Sequence, residues 1–401
     1  MPRFEPFRAL RYAPTTDLDA VIAPPYDVLS DADVDALEAR DAHNIVHVDV
    51  PRGGDDRYRH AAERLRRWIA EGVLVADEAP TFTLYRMRFT DATGTARELV
   101  GVLGGLEVVD EGAGGVLPHE RTTPKASTDR LDLTRATQTN LSPVWGLSLS
   151  HGLTAVLAEP GEVLGTLSVD GVVHQVERVA DPARVAAISA AVAADDVLIA
   201  DGHHRYGISR IYRDEARAAT GDNDTPAEQT LAFVGELSRD QLSIEAIHRL
   251  YAGRDADAIA TMLDRRFTRS PAPDPSPALL ADMEARGALV LVRPDGSAEW
   301  LDPIEGAFDD VRSLDGAWLE ATLDDAAAAG EQVPSVAYQH GVEEVGTALR
   351  DGRADAAVLI RPVSLTEIER TAREGLLMPP KSTFFTPKLR TGLVVRDLST
   401  G

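Results

Sequence analysis

Residues 197–215, VLIADGHHRYGISRIYRDE, change hydrophobic period at a single glycine. Ahead of it, VLIA is an unbroken apolar run and reads as a short buried strand; behind it, Ile208, Ile211, Tyr212, Ala216 and Ala219 recur at three-to-four spacing, the mark of one helix face. A strand that turns directly into a helix brings the end of one and the N-terminus of the other to a single point, with Asp201 and Gly202 in the turn. Such a junction needs a sheet with helices packed on it. It confines the chain to mixed α/β or α+β architecture.

The rest of the sequence repeats this alternation without a fixed period, which argues against a solenoid. Ser30 with Asp33 three residues later has capping-box spacing, and APPYD (23–27) ahead of it is a proline-stiffened approach. DRYRHAAERLRRWIAEG predicts a helix closing at Gly72, and TFTLYRMRF and ELVGVLGGLEVV predict strands around a turn. Asp170-Gly171 between GEVLGTLSV and VVHQVERV predicts a hairpin. Asp181 followed by Pro182 predicts a helix start. A helix is expected from about Asp255, another around SLDGAWLEATLDDAAAAG, and a third capped by Ser364 with Glu367. We expect an N-terminal α/β unit over 1–115, a core over 116–221 and a C-terminal α/β region over 222–401, whose tail, with PPKSTFFTPK in it, returns to the cleft.

The chain has 401 residues, enough for two or three domains, and none of them is cysteine. Thiol nucleophiles, thiolate zinc sites and disulfides are therefore excluded. With 41 Lys+Arg against 65 Asp+Glu the formal charge is -24, which together with the lack of a basic helix argues against a nucleic-acid partner. No window reaches the roughly 18 apolar residues of a membrane helix. The start, MPRFEPFRALRY, lacks the apolar core of a secretory signal, so a cytoplasmic protein without a membrane partner is expected.

Three chemistries fit the turn at 201–205. The N-terminus of a helix exposes unpaired amides and partial positive charge, Gly202 allows close backbone approach, and Arg205 can grip two oxygens at once, so the turn suits phosphate. Adjacent His203 and His204 also suit a metal, although no HExxH or comparable ligand spacing accompanies them. The same residues can simply cap the helix.

DGHHRY (201–206) resembles the Gly-x-x-Arg turn of the ParB/sulfiredoxin superfamily, and most of all its free serine kinase branch. Together with APPYD, PHERT (118–122), DRLDLTRATQTNLSPVWGL (129–147), HRL (248–250) and MPPKSTFFTPKLRTGLV (378–394), it is similar to the domain-of-unknown-function 1015 proteins over nearly the whole chain. The resemblance implies a nucleotide-binding core. It also implies transfer of a phosphoryl group from ATP or ADP to a small hydroxyl acceptor, free L-serine first, giving O-phospho-L-serine, with Mg²⁺ as cofactor. Glu120 matches the essential glutamate of the kinases, with His119 beside it. Where the sulfiredoxins carry their cysteine this chain has His203, so thiol repair does not carry over.

On this reading Glu120 and His119 are the catalytic candidates. Gly202, His203, His204, Arg205, Lys381 and Lys388 hold nucleotide phosphates; Asp201, Thr122, Arg130 and Asn140 bind the acceptor; and Asp201 also serves Mg²⁺. Partners are then a nucleotide and a small molecule. Two other functions fit the same residues: a ParB-like nucleotide-binding regulator without kinase activity, and a metal-dependent hydrolase using the histidines.

Overall fold

Alternation along the long strands assigns their two faces. In Phe82–Thr90 and Ala96–Glu107, the side chains of Phe82, Leu84, Val100 and Val102 enter one buried cluster, and Tyr85 and Gly101 belong to the opposite face. The computed structural model, which describes residues 1–91, 94–118, 127–379 and 381–399, places these strands in the middle of a mixed sheet. The order is Val116–Leu117, Val197–Asp201, Val144–Ser148, Gln229–Glu236, Ala96–Glu107, Phe82–Thr90, Val172–Val179, Glu162–Val169, with Phe4–Glu5 also paired to Ala96–Glu107. Val116–Leu117 runs parallel to Val197–Asp201, and Val144–Ser148 parallel to Gln229–Glu236; the other neighbours are antiparallel. The fold is mixed α/β, with strands drawn from both sides of residues 115 and 221.

The helices Leu153–Leu157 and Pro182–Val192 cover one face, adding Leu153, Leu157, Ile188 and Val192 to the cluster of Phe82 and Val102. The opposite face carries a row of rings. Trp145 meets Phe233 at 5.7 Å, Phe233 meets Tyr85 at 5.7 Å, and Tyr85 meets His174 at 5.8 Å between centroids. The strand between Phe233 and Tyr85 supplies Gly101, where a Cβ would stand 2.3 Å from the Phe233 ring. Only a residue without a side chain fits beneath that ring.

Local signals gave the expected elements. Ser30 and Asp33 form a reciprocal capping box, and Asp181 caps Pro182–Val192 through Arg184 N–H. Asp170 and Gly171 both have positive φ, 52° and 75°, as a two-residue hairpin of the strand-matching hand requires. The helix Arg57–Ala70 corrects one expectation, because its 14 residues include Arg57, Arg59, Arg64, Arg66 and Arg67 against the single acid Glu63. A basic helix is present. Among the described residues, no helix is long and apolar enough to cross a membrane.

The chain divides into two units: Met1–Leu242 with Glu369–Leu376 and Pro387–Gly401, and Ser243–Ile368 with Leu377–Thr386. In the first, the tail runs back along the N-terminal segment, with Thr391 bridged to Ala23, Val395 to Leu10, and Arg396–Asp397 paired to Thr139–Asn140. The second is built on an antiparallel sheet ordered Phe267–Pro271, Ala298–Pro303, Leu289–Val292, Ala356–Leu359, Ile247–Ala252, Ser335–His340. Its continuous apolar run LVLV is buried on both faces. Val290 and Val292 pack with Met283 and Val345 from the helices Leu279–Arg286 and Val342–Arg350, whereas Leu289 and Leu291 pack with Ile259 and Leu319 from Ala256–Leu263 and Asp315–Ala328.

Candidate functional site

The strand Val197–Asp201 is buried from Val197 to Ala200 and half-buried at Asp201, and the chain leaves it through Gly202 at φ 88°, ψ 27°, directly into the helix His203–Thr220. This left-handed conformation is open to glycine and strained for other residues. The first turn is tied down by Tyr206, whose N–H donates to Gly202 O at 2.9 Å and whose hydroxyl donates to Glu107 O at 2.9 Å and accepts Val109 N–H at 2.8 Å. Among the described residues, no side-chain hydrogen bond caps this helix at Gly202. Its N-terminal amides carry the positive end of an 18-residue helix, with the Asp201 carboxylate beside them accepting the Gly202 N–H.

Asp201 is the electrostatic centre of the turn. Its Oδ1 accepts the Gly202 N–H at 2.8 Å, its Oδ2 accepts from Lys388 Nζ at 3.0 Å, and Arg205 Nη2 lies 3.7 Å from Oδ2. Burial pushes the carboxyl upward, but the Lys388 ammonium, the Arg205 guanidinium and the Gly202 N–H outweigh it and hold Asp201 far below the usual carboxylate range. The guanidinium of Arg205 folds back over Gly202, where a Cβ would come 3.0 Å from its Cζ, and donates to Pro143 O. Glycine is thus required at 202 for its backbone angle and for the space under Arg205.

A second cluster adjoins Arg205. The short helix Val46–Asp49 buries Asp49, whose Oδ1 accepts from Arg130 Nη1 at 3.3 Å. Arg130 also grips Asp129 Oδ2 through Nε and Nη2, at 2.9 and 2.8 Å, and lies 4.3 Å over the ring of Tyr26. Burial raises the Asp49 carboxyl; Arg130 and Arg205 oppose that, Asp27 and Asp129 reinforce it, and the net direction is upward. Asp49 Oδ2 and Arg205 Nε are buried without a hydrogen-bonding partner among the described residues, and both residues line a cavity of about 50 Å³ with Thr134, Asn140 and Ser209. An acceptor and a donor left unmatched at one small cavity are costly unless a polar ligand or water meets them.

Mg²⁺ was expected at Asp201. Both oxygens of that carboxylate are taken by Gly202 and Lys388, and among the described residues no three of His, Asp and Glu gather at a spacing that could hold a metal. The described residues do not fit a protein-held Mg²⁺ at Asp201.

The family of proteins of unknown function DUF1015 matches residues 4–317. The chain belongs to this family. No curated protein matches the sequence. Among solved structures, free serine kinase in complex with AMP is 14% identical over 68% of this chain and 84% of that one, with a TM-score of 0.37. SbnI with a C-terminal truncation, from Staphylococcus aureus, is 14% identical over 73% and 87%, TM-score 0.40. A conserved hypothetical protein from Pyrococcus furiosus is 12% identical over 68% and 87%, TM-score 0.36.

In this DUF1015 member, residues expected to act together fall into three groups. Asp201, Gly202, His203, His204, Arg205 and Lys388 meet at the turn, within the first unit. Arg130 and Asn140 lie at the Asp49 cavity, where Asn140 Oδ1 already accepts Leu231 N–H at 3.0 Å. Lys381 belongs to the second unit, exposed, at φ 59°, its carbonyl accepting from Arg249 Nη1 at 3.1 Å. His119, Glu120 and Thr122 lie outside the described residues. Asp49 was not singled out from sequence; the signal for it is an acid inside the apolar run IVHVDV, which can be buried only beside a cation.

Proposed function

We propose that this protein binds a nucleotide with its phosphates at the N-terminus of the helix His203–Thr220 and transfers a phosphoryl group to a small hydroxyl acceptor, free L-serine first. The observation that carries this reading is the left-handed turn at Gly202, which opens the helix His203–Thr220 directly from the end of a buried strand beside Asp201, Arg205 and Lys388. It stands at the carboxyl end of Val197–Asp201, and the parallel neighbour Val116–Leu117 is followed in sequence by His119 and Glu120. Ligands of parallel strands gather at such ends.

The reaction needs a positioned hydroxyl and neutralised phosphate oxygens. Helix amides and His203 and His204 meet the phosphates, while Lys388 and Arg205 hold Asp201 ionised at their edge. Glu120 accepts the acceptor's hydroxyl proton as its oxygen bonds to the terminal phosphorus and the bridging P–O bond to the nucleotide breaks. The products are O-phospho-L-serine and the nucleotide shortened by one phosphate. Asp49 Oδ2 and Arg205 Nε supply an acceptor and a donor for the polar groups of the bound acceptor. A magnesium ion arriving with the nucleotide would supply charge neutralisation, with no ligand required from Asp201.

The test is an assay of wild type and Glu120→Gln with ATP or ADP, Mg²⁺ and a panel of hydroxyl amino acids, following phosphoamino acid formation and, separately, nucleotide binding. Wild-type O-phosphoserine formation, lost in a variant that still binds nucleotide, supports the kinase and the base role of Glu120. Nucleotide binding with no phosphorylated acceptor from either donor replaces the kinase by a nucleotide-binding regulator.

A further inference from the structure

The helix Arg57–Ala70 turns Ala61, Ala62, Leu65 and Trp68 to the core and sets Arg57, His60, Arg64 and Arg67 along one stripe beside that apolar face, at i, i+3, i+7 and i+10. Under the stripe lies a cavity of about 380 Å³, walled by Arg57, His60 and Arg64 from this helix, by His47 and Arg52 from the segment before it, and by Glu38. Three guanidiniums and two imidazoles face a single carboxylate, in a chain whose formal charge is -24. Arg52 is met by Asp31, Asp35 and Glu38, His47 Nδ1 lies 3.7 Å from Glu38 Oε1, and Arg57 donates to the Tyr58 hydroxyl at 2.6 Å and lies 3.5 Å from Asp129 Oδ1. The side chain of Arg64 has no hydrogen bond or ion pair among the described residues, and the same holds for the side chains of Arg66 and Arg67.

We propose that this cavity is a binding site for a compact polyanion of two or three linked phosphates, separate from the turn at Gly202. Its volume lies near the lower end of the roughly 300–1,000 Å³ of small-molecule sites. Its lining is charged rather than apolar, and guanidinium forks match phosphate oxygens in pairs. Linked phosphates offer acceptor oxygens to Arg64 and His60 on the helix and to Arg52 and His47 across the cavity at once, which a monatomic anion cannot. A nucleic-acid duplex is disfavoured because Asp31, Asp35 and Asp56 stand exposed around Arg52 and Arg59. The site does not depend on the phosphotransferase reading: His47 and Asp49, two residues apart on one helical turn, serve the two cavities separately.

The probe is sodium pyrophosphate, titrated calorimetrically into the full chain at low ionic strength. Arg64→Glu is expected to weaken binding about ten-fold or more, the loss of at least one charge-assisted hydrogen bond. Arg64→Lys restores part of it, and Arg353→Gln, at an exposed position of the second unit, leaves binding unchanged. Arg64→Gln keeps length and helix propensity, and it carries the test if circular dichroism shows that Arg64→Glu is misfolded. Wild-type affinity in the Arg64 variants, or no pyrophosphate binding by wild type at millimolar concentration, overturns the proposal. So does a short DNA duplex that binds in an Arg64-dependent way while pyrophosphate does not.

Discussion

Lys388 Nζ lies 3.0 Å from Asp201 Oδ2 although 187 residues separate them, so the returning tail supplies the cation for the acid at the strand end. Both side chains are about one-fifth exposed. Lys388→Met leaves Asp201 with Gly202 N–H and a more distant Arg205, and is expected to lower stability by about 1–3 kcal/mol. Because the folded carboxyl is depressed, this contribution is present above the ordinary Asp range and is lost as pH falls through the folded value. Urea midpoints of wild type and Lys388→Met should converge in strong acid; a constant difference at every pH contradicts the pairing.

Arg130 and Asp49 are unequal partners. Arg130→Ala strands a buried carboxylate and is expected to cost about 3–5 kcal/mol at neutral pH. Asp49→Asn keeps an acceptor for Arg130 and is expected to cost about 1 kcal/mol. Removing the cation raises the Asp49 carboxyl further, so the Arg130→Ala penalty should shrink at lower pH, readable in denaturant titrations at two pH values.

His174 is fully buried, with Nδ1 at 2.7 Å from the Tyr85 hydroxyl. Burial, aided by Arg390 and opposed by Asp170, lowers its imidazole to about 4. The unfolded histidine takes up its proton first, so stability is full above about pH 6.5 and falls toward pH 4, by up to about 3 kcal/mol from this residue. His174→Gln should flatten that part of the stability profile. An unchanged slope removes His174 as its source.

Gly101→Ala places a methyl group against the Phe233 ring, and overpacking of this kind costs about 1–3 kcal/mol or more. Phe233→Leu in the same chain should relieve it, so the double variant is expected to be more stable than the sum of the single changes by over about 0.5 kcal/mol. Strict additivity in thermal or urea unfolding contradicts the steric account.

Much of the local structure was legible without coordinates, because it depends on residues within one or two turns of each other. Ser30 with Asp33, Asp181 with Pro182, Asp170-Gly171 and the change of period at Gly202 each settle their own hydrogen bonds and backbone angles. Absence of cysteine excluded thiol chemistry by composition alone. Long-range facts were not legible. Periodicity identifies a strand's faces but not its neighbours, so the parallel placement of Val116–Leu117 beside Val197–Asp201 emerged only with the sheet. Arg205 reads in sequence as a free phosphate grip, yet its guanidinium is turned inward onto Pro143 and toward Asp201. Neighbours in the chain set the strand, the glycine turn and the helix, whereas only long-range packing brought Lys388, Asp49 and Arg130 around them. Charges far apart along the chain acquire partners only when packing closes the space between them and desolvation makes an unpaired charge too costly to keep.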